Sequence, residues 1–233
     1  MEMLHNKLSG AEHRTHLRLA LSCLFLTLGL QAAAQTSPYA GAIGGIATLS
    51  ADAGSQGSAQ GLNLSSYAPR NGGALDVFAG VHLHNYFSVQ ANYIWNRNSL
   101  RLNSTSSGGS FYQEDRSSIQ QAAVFDLLVY FRQRRSRIRP YLGTGTGVVH
   151  LSSTQDRVIA SGTAAVLPPA QFSSTGPLFR VHVGIDLRLA RKLDFRYSFS
   201  EMIEHNEISQ QLSPPGSHKL MNFQNLFGFV VRP

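Results

Sequence analysis

Apolar residues recur at every second position through most of this chain, and that period is met by a strand with two chemically different faces. Leu75, Val77, Ala79, Val81 and Leu83 alternate with Asp76, Phe78, Gly80 and His82. Phe87, Val89, Ala91, Tyr93 and Trp95 then alternate with Ser88, Gln90, Asn92, Ile94 and Asn96. Further runs of the same kind cover 119–131, 179–189, 193–200 and 221–231. Two more strands, Tyr39 to Leu49 and Arg139 to Leu151, are rich in Gly, Ala and Thr and are placed mainly by spacing.

The reading is therefore eight strands of about 10 to 14 residues. Segments near 50–72, 98–115, 152–175 and 205–217 are long and rich in Ser, Gly, Asn, Gln or Pro, whereas those near 84–86, 133–136 and 190–192 are short. Long and short connections alternate, so all long loops leave one end of an up-and-down antiparallel meander. Eight such strands can close into a barrel, which removes exposed edges.

Residues 1–34 read as a signal peptide rather than as part of the fold. Lys7, Arg14 and Arg18 precede an apolar run from Leu19 to Leu30, and Ala32, Ala33 and Ala34 precede Gln35. That run is short for a membrane helix, which needs about 20 apolar residues, but suits an export signal with small residues at its cut. Cys23, the single cysteine, lies inside it, so the mature chain, residues 35–233, would carry no disulfide. Of 20 basic and 13 acidic residues in the whole chain, 17 and 11 would remain. No remaining run is long enough for a membrane helix, so any spanning must be by strands. Only 14% of residues are charged, which argues against an ordinary cytoplasmic enzyme.

Alternation alone leaves open whether the apolar face fills the barrel, as in a secreted soluble lipid-binding barrel, or coats it. Strand length, loop asymmetry and aromatics near strand ends favour coating, with Tyr86, Phe87, Tyr93, Trp95, Tyr130, Phe131, Phe227 and Phe229 as interfacial girdles. The polar face then lines a lumen, where charges must be paired. A three-residue turn centred on Arg191 sets Arg188 opposite Asp194 and Asp186 opposite Arg196, opposite in charge in both cases. By the same count about Asn85, His82 faces Ser88. The expectation is a largely closed polar lumen with an Arg and Asp ladder.

The strand pattern, the export signal, the stretch Pro140-Tyr141-Leu142-Gly143-Thr144-Gly145-Thr146-Gly147 and the aromatic final strand together resemble the opacity-type and outer membrane protein A-like β-barrels of Gram-negative bacteria. The likeness spans residues 35–233. It implies a monomeric outer-membrane barrel in contact with outer-membrane lipids and lipopolysaccharide. It also implies insertion by the barrel assembly machinery, with Phe227 and Phe229 serving as the terminal aromatic signal. A structural, adhesion or surface-recognition role would fall to the long loops, which carry no motif that identifies an extracellular ligand.

Other candidate sites are weaker. Arg132, Arg134, Arg135, Arg137 and Arg139 crowd one short turn. In a barrel this turn faces the periplasm, so lipid headgroups are the expected partner and nucleic acid is not. His82 and His84 share a face by spacing, but no third metal ligand is evident. A lipid A-modifying hydrolase would need a nucleophile and a base; Glu204, His205 and Ser209 lie near one strand's outer end, but their spacing does not match the His-x-Ser arrangement of such deacylases. No catalytic residue, cofactor or metal is therefore expected.

Overall fold

The computed structural model describes residues 36–51, 64–105, 109–161, 169–205 and 219–233; the expected signal peptide and Ser209 lie outside the described residues. Nine strands follow in chain order: β1 (Ser37–Ala51), β2 (Leu64–Pro69), β3 (Asn71–His82), β4 (Phe87–Thr105), β5 (Phe111–Tyr130), β6 (Ile138–Ser161), β7 (Gln171–Arg188), β8 (Leu193–His205) and β9 (Lys219–Val231). β2 and β3 both pair with β4 and form one strand of the wall. Pro69 faces Leu100 and Gly73 faces Arg97, so four steps along one strand match three along the other, and a bulge at Arg70–Gly72 absorbs the difference. The wall thus has eight strands. Each pairs antiparallel with its neighbours, and the β1–β9 and β4–β5 ladders complete the ring. The eight-stranded antiparallel meander is that expected from the sequence; its connections are not, since β4 and β5 are joined by 106–110 alone.

The strands run much further than the periodicity indicated. β6 has 24 residues and β5 has 20. Segments read as loops, 98–115 and 152–175, are mostly strand: β4 continues to Thr105, β5 begins at Phe111, and β6 reaches Ser161. In these extensions polar residues stand on both faces, with Asn98, Arg101, Glu114, Asp115, Ser117 and Ser153, and the buried Leu100 and Leu102 are too short an apolar run to mark a strand by themselves. Backbone pairing sustains them, with Leu100 to Thr105 opposite Arg116 to Phe111.

Below the extensions the two faces separate sharply. Leu75, Val77, Tyr93, Phe125, Leu142, Val148, Phe179, Val183, Phe227 and Phe229 stand exposed on the outer wall, while Asp76, Gln90, Asn92, Gln120, Asp126, Arg180, Asp186, Arg196, Ser200 and Gln224 are buried inside. A soluble lipid-binding barrel would show the reverse. A belt of this extent is what a hydrocarbon surround requires. The lumen is more mixed than the expected polar ladder, since Ile43, Phe78, Ile94, Leu128, Leu178, Met202 and Leu226 also point inward. These residues belong to the inward series by parity, and they fill space around the charges.

Candidate functional site

The lumen is crossed by a connected network of buried charges and amides. Arg196 on β8 grips Asp186 on β7 with two parallel bonds, Nε to Oδ1 at 2.6 Å and Nη2 to Oδ2 at 2.8 Å. The fork matches a carboxylate in a way an ammonium cannot. Its remaining donors reach Gln90 Oε1 on β4 at 2.9 Å and the Tyr130 hydroxyl on β5 at 2.9 Å. The rings of Phe78 and Tyr141 lie 4.8 and 5.0 Å from the guanidinium carbon, adding cation–π contacts. Gln90 Nε2 donates to Asn92 Oδ1, and Asn92 Nδ2 donates to Asp126 Oδ2 at 2.9 Å. There the second node begins, because Arg180 on β7 donates to Asp126 Oδ2 at 3.0 Å and to Asp76 Oδ2 on β3 at 2.9 Å. One guanidinium therefore ties β3, β5 and β7.

Missing side chains make these reaches possible. Asp126, Gly145 and Arg180 occupy one row across β5, β6 and β7. A Cβ on Gly145 would meet Asp126 Oδ1 inside van der Waals contact and lie 2.6 Å from the Phe125 carbonyl. Glycine leaves the slot through which Arg180 reaches past its neighbouring strand to Asp126. The same device recurs where Tyr39 lies over Gly80 and reaches Gln90 Oε1 at 3.2 Å, and where Tyr141 covers Gly184. Within the glycine-rich stretch of β6, Gly143 likewise leaves the space that the His182 ring occupies.

Further out, amides replace the charges. Ser200 donates to Gln224 Oε1 at 2.8 Å, Gln224 Nε2 to Asn96 Oδ1 at 2.8 Å, Asn96 and Asn222 to Gln120 Oε1, and Gln120 Nε2 to Glu204. Near the outer end Arg116 binds Glu114, Ser153 Oγ at 3.0 Å and the Pro169 carbonyl at 2.9 Å. Above the apolar belt, Arg101 and Asp115 form an outward-facing pair, 2.7 Å from Nε to Oδ1. The hydrogen bond from Arg101 holds the Asp115 carboxyl below its usual range.

The structure places the sequence-derived candidates as follows. Asp186 stands opposite Arg196, and Arg188 opposite Asp194. The second pair is loose, 3.9 Å from Arg188 Nε to Asp194 Oδ1, because Arg232 takes that carboxylate at 2.5 Å. Phe87, Tyr93, Phe131, Phe227 and Phe229 are exposed on the outer wall, and Trp95 and Tyr86 are partly exposed. Tyr130 is a correction to the girdle: it is 2% exposed and points into the lumen, since its even position shares the phase of Asp126. Arg139 is likewise no part of the basic turn. It lies on β6, buried, with its guanidinium carbon 3.8 Å from the Tyr130 ring centre, while Arg132, Arg134, Arg135 and Arg137 remain in the turn. His82 and His84 do not share a face. β3 ends at His82, which is buried with Nδ1 2.5 Å from Ser88 Oγ, and His84 is exposed in the turn beyond. Glu204 faces the lumen and the adjacent His205 is exposed on the other face, so this carboxylate does not orient that imidazole. Among the described residues no group of three His, Cys, Asp or Glu side chains could hold a metal ion.

Sequence reasoning missed the Arg180 node. Asp76, Asp126 and Arg180 share the inward phase, which was legible, but they sit on strands that are not neighbours in the ring. Hairpin counting pairs only adjacent strands, so the contact across Gly145 had no local signal.

The comparison with protein families agrees with this architecture. The sequence has no match among curated proteins. Similar solved structures include Neisserial surface protein A, at 14% identity and TM-score 0.46, with 85% of this chain and 99% of that one covered. The outer membrane protein OprG from Pseudomonas aeruginosa aligns at 13% identity and TM-score 0.45, covering 84% of this chain and 96% of its own. Ail, the attachment invasion locus protein of Yersinia pestis, crystallised with the heparin analogue sucrose octasulfate, aligns at 12% identity and TM-score 0.38, covering 83% and 98%. The model of the outer membrane protein β-barrel domain matches residues 20–224. With its apolar belt outward, its charges inward and that match over most of its length, the chain belongs to the outer membrane β-barrel protein family and resides in the outer membrane.

Proposed function

We propose that this protein is a non-enzymatic surface-recognition barrel, in which the wall anchors, the lumen acts as a rigid strut rather than a pore, and the outer sheet meets the ligand. The observation that carries this reading is the path of Arg180 and Arg196 across the lumen, each 1% exposed and each bonded to at least two other strands. Ions would have to break charge-assisted bonds to pass. Phe87, Tyr93, Trp95, Phe131, Phe227 and Phe229, with Tyr86, set the depth of the barrel at the two interfaces. In planar bilayers the refolded protein is expected to show no stable open level of porin size; steady large conductance overturns the strut.

The outer ends of β4, β5 and β6 provide the recognition surface, because they carry paired strand well beyond the apolar belt with polar side chains on both faces. Rigid sheet presents side chains with less ordering cost than a mobile loop. Replacing 99–116 by a short turn is expected to leave a heat-modifiable, membrane-inserted barrel while abolishing binding of expressing cells to their target surface. Unchanged binding assigns recognition elsewhere.

A further inference from the structure

Charge at the short-turn end is one-sided. The β5–β6 turn, residues 131–137, holds Arg132, Arg135 and Arg137 exposed and Arg134 partly exposed. The neighbouring β7–β8 turn adds exposed Arg191 and Lys192. The third turn, 83–86, contains no Lys or Arg. Acidic residues do not offset this: among the described residues the carboxylates at this end are Asp186 and Asp194, both buried and held by Arg196 and Arg232.

Arg188 holds the two cationic turns side by side. Its backbone N donates to the Arg137 carbonyl at 2.8 Å. Its guanidinium donates to the Arg135 carbonyl at 3.0 Å and to the Arg134 carbonyl. Backbone oxygens thereby hold the Arg188 cation and fix the turn, on which Arg132, Arg135 and Arg137 stand exposed. Depth is set by the flanking residues, because Phe131 is 66% exposed and Leu189 59%, with Ile138 also exposed on the outer wall. Phe131 directly precedes Arg132 and Ile138 directly follows Arg137, so these arginines stand within one residue of the apolar belt.

We propose that this half of the rim binds the phosphates of anionic phospholipids in the periplasmic leaflet, with Arg132, Arg135, Arg137, Arg191 and Lys192 as ligands shared between two turns. Guanidinium forks match phosphate oxygens bidentately. The apolar neighbours put those forks at headgroup depth, where a lipid phosphate reaches them before a polymer in the periplasm does. Each cation near such a surface is worth about fivefold in affinity. Because the charge occupies one side of the mouth, anionic lipid gathers beneath that side only.

The test uses the refolded full-length mature barrel in phosphatidylcholine nanodiscs doped with phosphatidylglycerol, counting retained lipids by native mass spectrometry. Wild type is expected to retain phosphatidylglycerol in preference to phosphatidylcholine, and added salt should weaken that preference. The variant R132Q/R135Q/R137Q/R191Q should lose the preference at least tenfold while still showing heat-modifiable gel migration. Arg188→Gln, which removes the guanidinium bonds to the Arg134 and Arg135 carbonyls but keeps the backbone bond to Arg137, should give a smaller loss, and R97Q/R157Q at the outer end none. Equal retention by wild type and the quadruple variant overturns the proposal. So does binding to peptidoglycan sacculi that the quadruple variant loses when wild type shows no phosphatidylglycerol preference.

Discussion

Replacing Arg180 with methionine is expected to cost about 3–5 kcal/mol, enough to prevent stable refolding of the barrel. The loss comes from what remains. Asp76 and Asp126 are each no more than 1% exposed, and the guanidinium between them donates to both Oδ2 atoms, at 2.9 and 3.0 Å. Without it, two carboxylates share an enclosed space, and water reaches neither. The companion variant R180M/D76N/D126N removes the repulsion while keeping amide oxygens for Asn92, and should recover most of the stability. The measurement is the urea midpoint of unfolding from lipid vesicles, followed by gel mobility of unboiled samples. If R180M unfolds at the wild-type midpoint, the lumen admits enough water to solvate the pair. Gly145→Ala should act in the same direction without touching a charge, since its methyl group displaces Asp126 from the row it shares with Arg180.

Arg196→Ala is expected to be as damaging, again about 3–5 kcal/mol, for a different reason. Arg196 is the sole described ion-pair partner of Asp186, and it also donates to Gln90 and Tyr130. Among the described residues, truncation leaves one buried carboxylate with the Tyr130 hydroxyl as donor at 3.1 Å, and opens a cavity against Phe78 and Tyr141. Arg196→Lys should recover little, because an ammonium provides a point charge where the site uses a planar fork and stacked rings. The double variant R196M/D186L replaces the pair by apolar volume and is expected to refold close to wild type, as buried ion pairs commonly contribute specificity more than net stability. A refolding yield of R196A equal to wild type would show that the node is dispensable. Comparing the single and double variants in one cycle separates the cost of an orphaned charge from the value of the pair.

How far the sequence reached depends on which interaction sets each feature. Strands from Leu75 to Val231 were legible because lipid and lumen impose opposite chemistry on alternate residues. The outer extensions of β4, β5 and β6 were not, because above the membrane polar residues stand on both faces and only the short buried pair Leu100 and Leu102 marks the inward side. The Asp186–Arg196 register follows from the length of a turn, a local quantity. Tyr130 and Arg139 show where local grouping misleads: each was assigned by proximity to its chain neighbours, whereas strand parity sends both inward.

What the chain alone decides is the number of strands, their order and which residues share a face, because these depend on period two and on connection length. Which charges meet across the lumen was decided only when the sheet closed. Closure sets the stagger between strands and brings β3, β5 and β7 around one arginine, with Gly145 leaving the gap it crosses. Those contacts join residues 54 and 104 positions apart, and no pattern within a hairpin encodes them.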